Sequence, residues 1–399
     1  MRQPRDIQRR HPGRKLATRV LHSASSVDAH TGASSIPLYQ ASTFHHASLE
    51  HPPEYDYSRS GNPTRQALED TIAELEGGAR GFAFSSGMAA ISTAFMLLSH
   101  GDHVLCSEDV YGGTYRLLTT ILGRMGIETT FVDMTDLDQL EAARRPNTRA
   151  VFLETPSNPT LKITDIAAVA EWARKHGLLT MLDNTFMTPC LQRPIELGID
   201  IVLHSATKFL CGHSDVLAGL AVVANEKLGH QLKHLQNALG SVLGVQDAWL
   251  LMRGMKTLTA RMECAERNAR RLADWLSRHP AVSRVYYPGL PGHPGRDIHE
   301  RQAHGYGAIV SFDVGTGARA KQVLERVTLP LVAVSLGAVE SILSYPAMMS
   351  HAAMPREVRL QRGIGDGLLR YSVGLEAIED ILEDLDQALD EEVRAACRD

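Results

Sequence analysis

Short strand-like runs recur along the first half of the chain: Gly81–Phe84, His103–Cys106, Glu128–Val132, Ala150–Leu153, Leu178–Leu182, Ile201–His204 and Leu220–Ala224. Stretches with helical spacing, such as Tyr115–Met125 and Asp165–His176, separate them. Strands that alternate with helices predict an α/β architecture, a mainly parallel seven-stranded sheet with helices on both faces. The pattern changes after a long helical stretch from Asp247 through His279. There, Val282–Tyr287, Ala308–Asp313 and Leu368–Val373 predict a smaller C-terminal α+β domain. It closes on a helix whose Ile378, Ile381, Leu382, Leu385 and Leu389 recur at helical spacing. A chain of 399 residues exceeds the size at which one core stops growing, so more than one domain is expected.

Chemistry-bearing residues sit where those strands end. Lys208 follows the run Ile201–His204 in Ser205-Ala206-Thr207-Lys208. A lysine amine can form a Schiff base with a carbonyl, and the hydroxyls of Ser205 and Thr207 can hydrogen-bond a nearby phosphate. Asp183 closes Leu178–Leu182, at the carboxyl end of a strand, where open α/β sheets bind ligands. Pyridoxal 5'-phosphate needs a carboxylate beside its ring nitrogen. Ser85-Ser86-Gly87-Met88-Ala89-Ala90 follows Gly81–Phe84 and opens a helix, so its free N–H groups suit an anion. Each element alone has an ordinary reading: a surface amine, a turn cap, a helix cap. The three together describe one cofactor site.

With these motifs the chain resembles the transsulfuration enzymes of cysteine and methionine metabolism, pyridoxal-phosphate proteins of the aspartate-aminotransferase fold (fold type I). The likeness runs from about Thr18 to Leu389. Further matching stretches are Tyr55-Asp56-Tyr57-Ser58-Arg59-Ser60-Gly61-Asn62-Pro63-Thr64, Asp109-Val110-Tyr111-Gly112-Gly113-Thr114, Glu154-Thr155-Pro156-Ser157-Asn158-Pro159, Ser335-Leu336-Gly337 and Leu369-Arg370-Tyr371-Ser372-Val373-Gly374. The resemblance implies that Lys208 is the Schiff-base lysine and proton carrier, and that Asp183 pairs with the pyridinium nitrogen. Gly87, Met88, Ser205 and Thr207 would hold the phosphate. Tyr111 would stack on the cofactor and assist protonation of the leaving sulfur. Tyr57 and Arg59 would reach the phosphate of a neighbouring subunit, so the assembly would be a homotetramer built from two dimers. Arg370 would bind the substrate carboxylate, with Asn158, the Ser335 region and Glu340 in the substrate site. On this basis residues 1–62 form an arm, 63–257 the cofactor-binding domain and 258–399 the C-terminal domain.

The reaction is harder to read, because β-elimination, γ-elimination and γ-replacement share these motifs. Gly113 stands where methionine γ-lyases carry a cysteine. Glu340 resembles the γ-synthases and γ-lyases. The long run from Ala338 to Pro355, with Phe186-Met187-Thr188-Pro189 and Gln192-Arg193-Pro194, looks most like cystathionine β-lyases of the Bacillus type. The expectation is therefore a carbon–sulfur lyase acting on cystathionine by β-elimination, with cystathionine γ-lyase and γ-synthase as the alternatives.

Other classes fit less well. A non-catalytic binder on this fold would lack the lysine, its carboxylate partner or the substrate arginine, and all three are present. A nicotinamide-dependent dehydrogenase needs a glycine fingerprint after a strand, and none occurs. A net charge of −5 gives no general attraction to nucleic acid or anionic membrane. The 18 histidines form no H-E-x-x-H pattern, so no metal is expected. Cys106, Cys190, Cys211, Cys264 and Cys397 are widely spaced and odd in number, which predicts reduced thiols in a cytoplasmic protein. The basic start, with Arg2, Arg5, Arg9, Arg10, Arg14 and Lys15, lacks an apolar stretch after it and reads as an arm rather than an export signal. The longest uncharged apolar run, near Leu331 to Val339, is too short to span a bilayer.

Overall fold

The computed structural model describes residues 13–23, 27–28, 30–352 and 354–390. Arg2, Arg5, Arg9, Arg10 and Cys397 lie outside the described residues. The strands are β1 (Arg80–Phe84), β2 (His103–Ser107), β3 (Glu128–Val132), β4 (Thr148–Glu154), β5 (Leu179–Asp183), β6 (Ile201–Ser205), β7 (Gly219–Val223), β8 (Arg284–Tyr286), β9 (Ile309–Asp313), β10 (Leu331–Val332), β11 (Ile342–Ser344) and β12 (Leu368–Ser372). The first seven make one sheet in the order β1-β7-β6-β5-β4-β2-β3. Strands β2 and β3 run parallel, as do β5 and β6, whereas β7 is antiparallel to both β1 and β6. The expected mainly parallel seven-stranded sheet is therefore present, with β7 reversed.

Two compact units emerge from the contacts. The first takes Met1–Asp102, Arg149–Val151 and Ile166–Thr259; the second takes His103–Thr148, Phe152–Asp165 and Ala260–Asp399. In the first unit, β6 and β7 are buried almost throughout, as strands covered on both faces must be. Val202, Leu203, Leu220 and Val222 have no exposed surface, and each such side chain stabilises the fold by about 1.5–3 kcal/mol. The second unit holds a five-stranded sheet in the order β10-β11-β12-β9-β8 and a helix at Ile378–Leu389 that packs against the helix Gly317–Arg326. Ile381, Leu385 and Leu389 of that helix are buried.

Three local expectations are corrected. The stretch Tyr115–Met125 is no single α-helix: Gly112–Arg116 is α-helical, Leu117–Leu122 π-helical and Gly123–Met125 a 3₁₀ turn. Thr119 and Thr120 donate their hydroxyls to the carbonyls of Tyr115 (2.8 Å) and Arg116 (2.6 Å), competing with the regular helical ladder. The long stretch Asp247–His279 breaks into Val245–Met255 and Leu258–Leu276, where the Thr257 hydroxyl donates to the Gly254 carbonyl at 3.1 Å. The small sheet also has two strands absent from the sequence reading, β10 and β11, of two and three residues.

Candidate active site

In the first unit, the end of β6 meets the turn that opens the helix Gly87–Phe95. Ser86 caps that helix by accepting from the Ala89 N–H at 3.0 Å. The following N–H groups, on Gly87 and Met88, belong to the first helical turn, where intrahelical acceptors are lacking. Register brings Phe84 of β1 and Ser205 of β6 both opposite Gly219 of β7. The approach is so close that only glycine fits. A Cβ on Gly87 would stand 2.8 Å from Ser205 Cβ, and one on Gly219 would stand 2.0 Å from the Ser86 carbonyl oxygen. Thr207 is fixed beside this turn: its N–H donates to the Ala218 carbonyl (3.2 Å) while its hydroxyl accepts from the Ala218 N–H (3.0 Å). Lys208, half-buried, follows in a turn closed by its own N–H on the Ser205 carbonyl at 3.1 Å.

Asp183 ends β5 opposite Leu203. Its Oδ1 accepts from both the N–H and the hydroxyl of Thr185. The same hydroxyl accepts from the Ser205 N–H at 2.8 Å, so Thr185 ties the two strand ends together. Burial pushes the Asp183 carboxyl up, against the lowering by the Thr185 bonds and by His204. Beneath these strand ends, buried Glu76 accepts from Asn184 Nδ2 at 3.0 Å and pairs with His204 Nε2 at 2.7 Å. Tyr57 and Arg59 lie elsewhere in this unit, both exposed, with the guanidinium 5.5 Å from the ring centroid.

In the second unit, Arg370 sits in β12 between Ser311 of β9 and Ser344 of β11, 2% exposed. Nη1 donates to Asn158 Oδ1 at 2.8 Å and Nη2 to the Ser335 carbonyl at 2.7 Å, while buried Nε has no acceptor. Burial pulls this guanidinium down to about 10, offset in part by the charges of Glu154 and Tyr111. Ser335 presents its carbonyl from a left-handed backbone, φ 134, a strained conformation for a residue with a side chain. Glu340 lies in the loop between β10 and β11. Tyr111, 41% exposed, donates its N–H to Glu154 Oε2 at 3.0 Å.

Residues that the sequence reading left without a role help build these two sets. Thr185 and Glu154 both lie inside stretches already singled out, Asp183-Asn184-Thr185 and Glu154-Thr155-Pro156, but nothing in the sequence pairs them with Ser205 or Tyr111. Asp109 accepts from the hydroxyls of Ser157 and Thr160 next to Asn158, and burial pushes it up to about 6. His351, fully buried, is held down to about 4 by burial and by the nearby Arg370. Among the described residues, no cluster of three or more His, Cys, Asp or Glu is arranged for a metal. No described helix is long and apolar enough to cross a membrane.

Comparison with known proteins decides the family. The family described as Cys/Met metabolism PLP-dependent enzyme matches residues 17–390. The chain belongs to the Cys/Met metabolism PLP-dependent enzymes. Cystathionine beta-lyase MetC of Bacillus subtilis is 62% identical, the match covering 94% of this chain and 96% of that protein. Cystathionine gamma-lyase of the same organism is 53% identical over 94% of this chain and 99% of its own length. The crystal structure of cystathionine gamma-lyase from Lactobacillus plantarum complexed with L-serine superposes with a TM-score of 0.92 at 50% identity, covering 94% of this chain and 98% of that one.

As a member of this family the chain is a pyridoxal-phosphate enzyme of fold type I. Its own residues fit the group. The N–H groups of Gly87 and Met88 open a helix in the turn that lacks intrahelical acceptors, which suits the phosphate. Asp183 is a buried carboxylate with no ion-pair partner among the described residues, and the protonated ring nitrogen of the cofactor would supply such a partner. Arg370 offers buried donors to a carboxylate.

Proposed function

We propose that this enzyme breaks the Cβ–S bond of L-cystathionine, consuming one water and giving homocysteine, pyruvate and ammonia. The observation that carries this reading is the 62% identity, over 94% of the chain, to a protein named cystathionine beta-lyase. Pyridoxal phosphate, when bound, supplies an electron-accepting ring that stabilises negative charge at the substrate Cα. Gly87, Met88, Ser205 and Thr207 would hold its phosphate, Tyr111 would lie against its ring, and Asp183 would keep its ring nitrogen protonated. Arg370 takes the substrate carboxylate in a two-pronged pair, with Asn158 and Ser335 fixing the guanidinium. Lys208 Nζ removes the Cα proton. The Tyr111 hydroxyl then gives a proton to the departing sulfur, and Glu154 steadies Tyr111 through its backbone. The three-carbon fragment, once released, adds water to become pyruvate and ammonia.

Tyr57 and Arg59 are proposed to serve a neighbouring subunit's phosphate, in a homotetramer. Their exposure, and the face-on contact of the guanidinium with the ring, support a role toward a second chain. In this scheme residues 1–62 are the shared arm, 63–257 the cofactor-binding domain and 258–399 the C-terminal domain. The compartment is proposed to be the cytoplasm.

A second reading, γ-elimination to cysteine, 2-oxobutyrate and ammonia, is favoured by Glu340 and by the 53% identity to a protein named cystathionine gamma-lyase. Incubation of the holoenzyme with cystathionine separates the two. Pyruvate as the main keto acid is the expected result, and 2-oxobutyrate as the main keto acid overturns the β reading.

A further inference from the structure

Within the second unit a cavity of about 540 Å³ is lined by residues that the lyase reading does not use, among them Arg284, Arg362, Lys162, Tyr286 and Ile298. Its size falls in the range of sites for small organic molecules. Lys162 is already engaged by Glu108 at 2.7 Å and Asp133 at 3.2 Å. The two guanidiniums are not so engaged. Arg362 is buried to 9% exposure, and its guanidinium lies over two neighbouring rings: Tyr115, centroid 5.3 Å away, and Phe131, 5.2 Å away. Rings attract a cation but accept little at its N–H edge. Among the described residues, that edge meets the Met354 sulfur, 3.7 Å from Nη1, a weak acceptor. Arg284 lies over Tyr286 at 4.6 Å and has no carboxylate partner among the described residues. A buried guanidinium whose donors face a cavity is stabilised by an oxyanion there.

We propose that this cavity is a second ligand site, separate from Arg370, which binds a small organic anion. Its carboxylate or phosphate group pairs with Arg362 and Arg284, and its apolar body packs on Tyr286 and Ile298.

The holoenzyme is titrated by calorimetry with phenyl phosphate, benzoate and inorganic phosphate, each against potassium chloride of equal ionic strength. The expected result is saturable binding of phenyl phosphate or benzoate at one equivalent per chain, with weaker binding of inorganic phosphate, which lacks the apolar body. The aryl anion that binds more tightly identifies the head group. Arg362→Gln and Arg284→Gln each weaken binding about tenfold, as loss of a charge-assisted pair does. Arg284 is exposed, so its substitution tests the site even if Arg362→Gln unfolds the chain. Arg370→Lys leaves the binding intact. Absence of saturable binding of either aryl anion, equal binding by Arg284→Gln, or loss of binding in Arg370→Lys overturns the proposal.

Discussion

Arg370 Nη1 donates to Asn158 Oδ1 at 2.8 Å across 212 positions of sequence. The Ser335 carbonyl holds Nη2, so two of the five donors are spent on orientation and the rest of the fork stays available. Arg370→Lys keeps the charge and removes the fork. We expect kcat/KM for cystathionine to fall about a hundredfold, mostly through KM, and Asn158→Ala to cost about tenfold. Steady-state kinetics on both variants check this, and an unchanged KM in Arg370→Lys would count against carboxylate binding there.

Gly87 is a steric requirement. A methyl group 2.8 Å from Ser205 Cβ forces the helix start away from the end of β6. Gly87→Ala should weaken binding of pyridoxal phosphate about tenfold or more and destabilise the fold by about 1–3 kcal/mol. Equilibrium dialysis of the cofactor and thermal melting of the apo chain separate the two effects.

Asp183 is a buried carboxyl whose protonation burial favours unless a cation stands beside it. Asp183→Asn keeps the Thr185 contacts sterically and removes the charge. The expected outcome is a folded protein with at least about a hundredfold lower kcat, because the ring nitrogen loses its proton. The absorbance band near ~420 nm, expected for the protonated internal imine, should also shift. A variant with normal kcat and spectrum would contradict the assigned role.

Stability should fall on acidification through the buried histidines. His299, whose Nε2 donates to the Gly305 carbonyl at 2.8 Å, and His351 are each held down to about 4 by burial. In the unfolded chain they protonate near ~6.5. Between those values the unfolded state binds more protons, so stability is present above pH ~6.5 and is lost as pH falls toward 4. Asp109 acts with the opposite sign: raised to about 6, it is protonated first in the folded state. Denaturant midpoints of the wild type from pH ~6.5 to ~4.5 should therefore fall more steeply than those of His299→Gln. Parallel curves would show that His299 is not held neutral.

Shared sites can be tested by mixing inactive chains. Lys208→Ala and Arg59→Ala homo-oligomers should each be nearly inactive. Hybrids formed by co-refolding should regain activity, toward about a quarter of the wild-type level if one site in four escapes both changes. No recovery in verified hybrids would place Arg59 at its own subunit's site.

The alternation of strand runs and helices specified the sheet, and chain neighbours specified the best-read residues. Asp183, Ser205 and Lys208 lie at strand ends or just past them, a position that local hydrophobic patterning reveals. Strands β10 and β11 escaped because two or three residues carry no period; β11 is defined by the ladders that β10 and β12 offer it. The π-helical Leu117–Leu122 escaped because its buried Leu117, Leu118 and Leu122 recur at a spacing that an α-helix would also show. Arg370 was legible as an arginine in an apolar run, yet its orientation was not: Asn158 and Ser335 reach it only through the fold. The same holds for Thr185 bridging Asp183 to Ser205, and for Glu154 holding Tyr111. Sequence alone determined which residues carry reactive groups and which runs bury. Tertiary structure alone decided which donors face which acceptors, because a buried charge is oriented by partners that lie far from it along the chain.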